Sequence, residues 1–379
     1  MLQTRTDEQT GVSPAAGPAD ADAPLKALVE RALAPLTARI DREGVYPENF
    51  LREAGRLGAF NRHLASQNAT GTTDLAGAIR ATEVISAECM TTGFVAWCQN
   101  ACAWYAENSD SDVLKREALP KLANAEALGA TALSNPMKWF ANIEELKLNA
   151  ERVDGGYIVS GALPWVSNLG EDHYFGAIFR TTDANPRPLM ALINCADPGF
   201  SLTACPEFTA LEGSRTFGCH FDRVFVPDAH ILADPLPEYI RRIRPGFVLL
   251  QMGMGLGLID GCIETMRESN ETLAHVNGYL DDQVGELEEA LADARSACYA
   301  LSETPFDDSE RFFADVLQMR LTGSELSLRA SQSALLHCGA RGYKADAAAQ
   351  RKLRESYFVA IVTPAIKHLR KELARIHAH

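Results

Sequence analysis

Basic charge is scarce in this chain. Its 379 residues carry 36 Lys and Arg against 50 Asp and Glu, a formal net charge of -14. Such a surface repels polyphosphate backbones and argues against nucleic-acid binding, while leaving room for one local patch that holds an anionic cofactor. Also missing is any Cys-x-x-Cys pair. The nine cysteines (Cys89, Cys98, Cys102, Cys195, Cys205, Cys219, Cys262, Cys298 and Cys338) have neither zinc-site nor redox-loop spacing. Free buried thiols are expected, and with them a reducing, cytoplasmic compartment. No apolar run of the roughly 20 residues needed to cross a bilayer is evident, and the N-terminus lacks the charged-then-apolar order of a secretory signal. No membrane role is expected. Internal repeats and low-complexity tracts are absent as well.

What is present is ordinary globular composition, 46% hydrophobic and 23% charged, enough for a large core in two or three domains. Residues 1–23, rich in Thr, Asp, Pro, Gly and Ala, read as a disordered leader. From Pro24 the texture is helical: Leu25, Leu28, Val29, Ala32, Leu33 and Leu36 recur at three- and four-residue spacing. Further helices are expected at Phe50–Leu57, at Leu75–Glu88 with Asp74 as cap, and at Gly93–Glu107. An N-terminal helical domain over 24–125 follows.

Alternation then replaces helical spacing. Leu146, Leu148 and Ala150 alternate with polar residues, Asp154-Gly155-Gly156 has turn chemistry, and Tyr157-Ile158-Val159 resumes an extended run, which is a β-hairpin. Strands also fit Tyr174–Phe179, Leu189–Ile193 and Cys219–Val226, so 126–235 reads as a middle β-domain. Long helical segments return at Leu249–Glu271, Asp281–Leu301, Ser309–Cys338 and Ala347–Ile376, a four-helix bundle over 236–379. Bundles of this kind expose faces that partner copies cover, and a homodimer or homotetramer is expected. The fold class is α+β: N-terminal helical domain, middle β-barrel domain, C-terminal four-helix bundle.

Three stretches carry a resemblance. Ala150-Glu-Arg-Val-Asp-Gly-Gly-Tyr-Ile-Val-Ser-Gly-Ala-Leu-Pro-Trp-Val-Ser-Asn168 resembles the middle-domain signature of the acyl-CoA dehydrogenase family. Gly213-Ser-Arg-Thr-Phe-Gly-Cys-His-Phe-Asp-Arg-Val-Phe-Val-Pro227 is similar to that family's exit from the β-domain, and Gly339-Ala-Arg-Gly-Tyr343 with Arg351 and Arg354-Glu355 to the run before its last helix. The resemblance covers about Leu25 to Arg375. It implies FAD, with FMN as the alternative, lying between the β-domain and the bundle. Thr131-Ala-Leu-Ser-Asn-Pro136 resembles the strand end that meets the flavin pyrimidine, which makes the Leu133 backbone and Ser134 candidate contacts. Trp165 would pack on the ring system, and the Ser167 hydroxyl would lie near N5, where hydride or oxygen chemistry needs a matched donor or acceptor.

The pattern breaks where the family keeps its base. A dehydrogenase of this kind takes the α-proton of a thioester with a carboxylate while the β-hydride goes to the flavin, and both partners must be present. The stretch corresponding to the usual glutamate turn is Ala360-Ile-Val-Thr-Pro-Ala-Ile366, and the alternative position reads Arg244-Pro-Gly-Phe-Val-Leu-Leu-Gln251. Neither contains an acid. His337, His368, Glu355 and Glu325 are the remaining proton-transfer candidates. The acyl-CoA loop becomes Ser134-Asn-Pro-Met-Lys-Trp-Phe-Ala141, so Trp139 and Phe140, with Phe247, are candidate substrate-pocket residues. The arginine that reaches the cofactor pyrophosphate from a neighbouring subunit is unmatched in Thr272-Leu-Ala-His-Val-Asn277, and Leu336 stands where a glutamine is usual.

Three readings follow. A reduced-flavin oxygenase or atypical oxidase on a small organic substrate, possibly a CoA thioester, needs no α-base and would be served by a flavin reductase and oxygen. A dehydrogenase with a relocated base would pass electrons to an electron-transfer flavoprotein. A catalytically silent flavin-binding or scaffold subunit accounts for the missing residues but not for retention of Trp165 and Ser167.

Overall fold

The first helical stretch is broken where its sequence requires it. Helix α1 (Ala23–Leu28) and helix α2 (Thr37–Glu43) flank a widened turn at Val29–Leu33 and a tightened one at Ala34–Leu36. Pro35 lacks an N–H and its ring crowds the carbonyl four residues earlier, so one regular helix over 25–36 is not possible. The structure, a computed structural model, describes residues 20–378. Most of the leader expected over residues 1–23 lies outside them; Asp22, inside, is buried against Arg62 and Arg80.

Five further helices complete this region: α3 (Glu48–Arg56), α4 (Leu75–Glu88), α5 (Met90–Glu107) and the short α6 (Asp112–Glu117) and α7 (Leu119–Ala123). Asp74 caps α4 as its side chain predicts, accepting the Gly77 N–H at 2.7 Å. Every residue of α5 from Met90 to Ala106 is buried, which makes it the central helix of the molecule.

His63, in the connection between α3 and α4, is fully buried. One ring nitrogen, Nε2, lies 3.0 Å from the Asn100 carbonyl and Nδ1 has no partner among the described residues. Burial pushes its pKa from 6.5 down to about 4. The unfolded chain therefore binds a proton that the folded one refuses, and stability falls as pH drops from about 7 towards 4. This group is expected to contribute a loss of about 3 kcal/mol over that window. Urea midpoints measured across it should slope less in His63→Gln than in wild type; equal slopes would remove His63 from the account.

The middle region is one eight-stranded sheet: β1 (Gly129–Thr131), β2 (Leu148–Val153), β3 (Gly156–Val166), β4 (Tyr174–Thr181), β5 (Pro188–Asn194), β6 (Phe200–Ala204), β7 (Phe217–Pro227) and β8 (Ile231–Ala233). The order is β6-β7-β3-β2-β4-β5-β8, with β1 beside β4. The β2–β3 hairpin turns at Asp154-Gly155, where Gly155 has φ 74°. Strands β1, β6 and β8 are three to five residues long, too short for a periodic signal to reveal them. The segment Ser134–Phe140, read above as a loop, is helix α8, pinned by Asn135, whose side chain bonds the Glu145 carbonyl and the Lys147 N–H.

The last third holds α9 (Leu236–Leu250), α10 (Met252–Asn277), α11 (Val284–Ser302), α12 (Glu310–Cys338), α13 (Ala348–Ile361) and α14 (Ile366–His377). The single helix expected over 347–376 is two, because Val362-Thr-Pro-Ala365 interrupts it. One stretch, Leu236–Asn277, is long and apolar enough to span a bilayer, contrary to the sequence expectation, but 94% of its most apolar window is buried in the fold. It is a core helix pair. The N-terminal helices and the bundle share one hydrophobic core, running from Leu25 through α5 to Leu373, while the sheet wraps a second core of its own around Phe175, Phe179 and Phe221.

Candidate active site

Three chain segments far apart in sequence meet where sheet, α8 and the α13–α14 bend come together. The Ser134 hydroxyl at the start of α8 is 3.0 Å from the Thr363 hydroxyl in the bend. Thr363 is held from behind: Gln251, at the end of α9, donates its amide to the Thr363 carbonyl at 2.9 Å and accepts from Arg320 Nε at 2.9 Å. Arg320 also donates to the Val359 carbonyl at 2.7 Å and contacts Ser324. It is 2% exposed and has no carboxylate partner among the described residues. Burial lowers its pKa to about 10, so it remains a cation at neutral pH. The stretch that aligns with the family's glutamate turn thus arrives at Ser134 carrying a hydroxyl and no carboxylate.

Trp165 and Ser167 lie at the end of β3, where its register with β7 shifts between Leu163 and Val166. Trp165 is 60% exposed, which rules out a role as a core anchor and leaves a flat apolar face open. The Ser167 hydroxyl is 2.6 Å from that of Thr216, which is 2.7 Å from that of Ser214. Asn168, buried with φ 63°, fastens this strand end: its side chain accepts from the Tyr46 hydroxyl at 2.6 Å and donates to the Gly129 carbonyl at 2.7 Å. Leu133, 5% exposed, leads directly into Ser134. An exposed indole on a strand whose end carries hydroxyls suits a flat heteroaromatic ring with a polar edge, so the residues present fit the isoalloxazine half of a flavin.

The other candidates separate. Phe247 is buried 5.4 Å from Trp97 and 6.0 Å from Tyr105, whereas Trp139 and Phe140 pair with each other at 4.9 Å on α8, Phe140 exposed and Trp139 half-buried against the helical core beneath the Arg180 guanidinium. Two grooves of 660 and 400 Å³ open along α12, the first lined in part by Glu325 and the second by His337; neither includes Ser134, Trp165 or Thr363. Glu325 forms an exposed ion pair with Arg370. His337 lies 2.8 Å from the Asp282 carbonyl and 3.3 Å from Asn270, which ties α12 to the α10–α11 connection. Glu355 is wholly buried against Thr91 and Arg351. Of the four proton-transfer candidates, His368 is nearest to Thr363 along the chain. It sits in the first turn of α14, five residues past Thr363 and 7% exposed, with Nδ1 unpartnered among the described residues. Burial lowers its pKa below 6.5, opposed by Glu372 and aided by Lys371 and Lys138. Lys371 ties the same helix to the end of α8 through the Ala141 carbonyl at 2.6 Å.

Residues 22–126 match the family described as acyl-CoA dehydrogenase, N-terminal domain. The whole chain takes the fold of butyryl-CoA dehydrogenase from Megasphaera elsdenii, with a TM-score of 0.84 at 16% identity over 96% of this chain and 98% of that one. Its N-terminal region is thus similar to that family, and its fold is the one shared by the acyl-CoA dehydrogenase superfamily. Members of this superfamily are FAD-dependent oxidoreductases. The mitochondrial isovaleryl-CoA dehydrogenase of Arabidopsis thaliana is 26% identical over 269 residues, 68% of this chain, and the match spans 65% of the plant protein's length. The prolyl acyl carrier protein oxidase AnaB has the same fold, with a TM-score of 0.80 at 14% identity over 96% and 99% of the two chains. Thr363, Gln251, Arg320 and Thr216 received no role from the superfamily resemblance. The Thr-Pro interruption in an otherwise helical pattern was the available signal for the first of them.

Proposed function

We propose that this protein is a flavin-dependent oxidoreductase of that superfamily, binding FAD with its ring system at Trp165, Ser167, Leu133 and Ser134. Its substrate is a CoA thioester or a related small organic molecule, and its chemistry is of the oxidase or monooxygenase type. The observation that carries this reading is Thr363: the bend that meets Ser134 brings a hydroxyl where α-proton abstraction requires a carboxylate. The bound flavin supplies the two-electron redox chemistry. The protein's part is to hold the ring against Trp165, to match its polar edge with the Ser167 and Ser134 hydroxyls, and to keep the Thr363 bend in place through Gln251.

Anaerobic reduction followed by mixing with oxygen tests it. Rapid return of oxidised-flavin absorbance is expected, and butyryl-CoA and isovaleryl-CoA are expected to leave the flavin unbleached. Bleaching by either thioester, with a sluggish response to oxygen, would establish the second reading instead: a dehydrogenase with a relocated base and an electron-transfer flavoprotein as acceptor. His368 favours keeping that reading in play, because it is neutral at pH 7 and adjoins the Thr363 bend.

A further inference from the structure

A closed circuit of contacts runs beside the Ser134–Thr363 bridge. The Tyr105 hydroxyl is 2.7 Å from that of Thr131, three residues before Ser134. Ser134 meets Thr363, and the chain leads back through the Val362 N–H, bonded at 2.8 Å to the Phe358 carbonyl. Phe358 meets Phe94 edge-on at 4.6 Å, Phe94 stacks on Trp97 at 5.8 Å, Trp97 meets Phe247 at 5.4 Å, and Phe247 returns to Tyr105 at 6.0 Å. Helices α5, α9 and α13 and the segment leading into α8 thus close a ring of five aromatic side chains around one small region. Gln251, which holds Thr363, stands one helical turn beyond Phe247 on the same face.

Within this ring the Tyr105 hydroxyl is engaged, and the three phenylalanines carry no polar atom. The remaining polar group is the Trp97 indole N–H. Trp97 is 3% exposed, and its Nε1 has no acceptor among the described residues. A buried donor without an acceptor costs free energy that phenylalanine at the same place would avoid. No guanidinium lies over Phe94, Trp97, Phe247 or Phe358 among the cation–ring contacts described. The five side chains themselves carry no charge, and the buried Arg320 guanidinium is already engaged by Gln251, Ser324 and the Val359 carbonyl.

We propose that the Trp97 N–H is a specificity-determining donor, and that the buried end of the substrate is an uncharged aromatic or apolar group bearing one hydrogen-bond acceptor, such as a carbonyl or ether oxygen. This rests on the flavin-site reading above, and it adds the class of group that the enclosure selects. Phe247 orients that group by packing, while Trp97 reads its acceptor.

The test uses two probes of nearly equal shape, acetophenone and α-methylstyrene, titrated calorimetrically into the full-length protein. Wild type is expected to bind acetophenone about 10-fold more tightly, and Trp97→Phe to abolish that preference by weakening acetophenone alone. Nitrogen-15 labelling gives a second readout that needs no variant: of the chain's four Trp, the Trp97 indole resonance should move downfield with acetophenone and not with α-methylstyrene. Equal affinities in wild type, a preference that survives Trp97→Phe, or no binding of either probe would overturn the proposal. A protein that stays colourless after incubation with FAD would instead sink the flavin-site reading, and the probe comparison would still report on the enclosure by itself.

Discussion

Glu355→Ala is expected to lower the unfolding free energy by about 3–5 kcal/mol, the cost typical of removing one partner from a buried ion pair. Glu355 is 0% exposed. Its carboxylate accepts from the Thr91 N–H at 3.2 Å, the Thr91 hydroxyl at 3.1 Å and Arg351 at 3.1 Å. Arg351 in turn donates to the Glu88 carbonyl, and Lys352 to the Ala87 carbonyl. The cluster therefore clamps α13 to the junction of α4 and α5, and its loss leaves a buried guanidinium with only neutral partners. Glu355→Gln, which keeps an acceptor but not the charge, should lose less. Urea titration followed by circular dichroism measures both. A change under about 1 kcal/mol in Glu355→Ala, together with a large fall in turnover, would show that this acid serves chemistry and not the clamp.

Under the dehydrogenase reading, His368→Ala is expected to slow the proton-transfer step about 10²-fold while leaving stability nearly unchanged. The imidazole is buried in the first turn of α14, and that burial holds its pKa below 6.5. At pH 7 it is neutral and able to accept a proton. As pH falls through its lowered pKa it becomes charged, so the acid limb of the pH–rate profile should lie below 6.5 and vanish in the variant. Single-turnover rates across pH measure this. A variant that keeps the wild-type rate and the same acid limb would leave His368 a packing residue.

The parts of the fold that were legible are those written in local pattern. Apolar spacing located α4, α5 and α12 to within a few residues, and the Asp154-Gly155 turn placed the β2–β3 hairpin. Helix α8 was not legible, because its seven residues hold Pro136 and two aromatics and are stabilised by Asn135 reaching Glu145 and Lys147. The substrate candidates show the same limit. Trp139, Phe140 and Phe247 share a residue class, yet the fold exposes Phe140, half-buries Trp139 against the helical core and buries Phe247 against Trp97.

Composition, period and segment order were determined by the sequence itself: an acidic α+β protein, helices then sheet then helices, with a stretch ending at Asn168 that resembles a family signature and no glutamate where that family usually has one. These depend on residues within a turn or a strand of one another. Tertiary structure alone decided which polar groups meet. Ser134 and Thr363 are 229 residues apart and Thr91 and Glu355 are 264 apart, so nothing in local spacing could pair them. The packing of α13 on the shared helical core locks Glu355 in a clamp, while His368 is buried on α14 with Nδ1 unpartnered among the described residues. Burial and long-range hydrogen bonding set those roles, and both are properties of the folded whole.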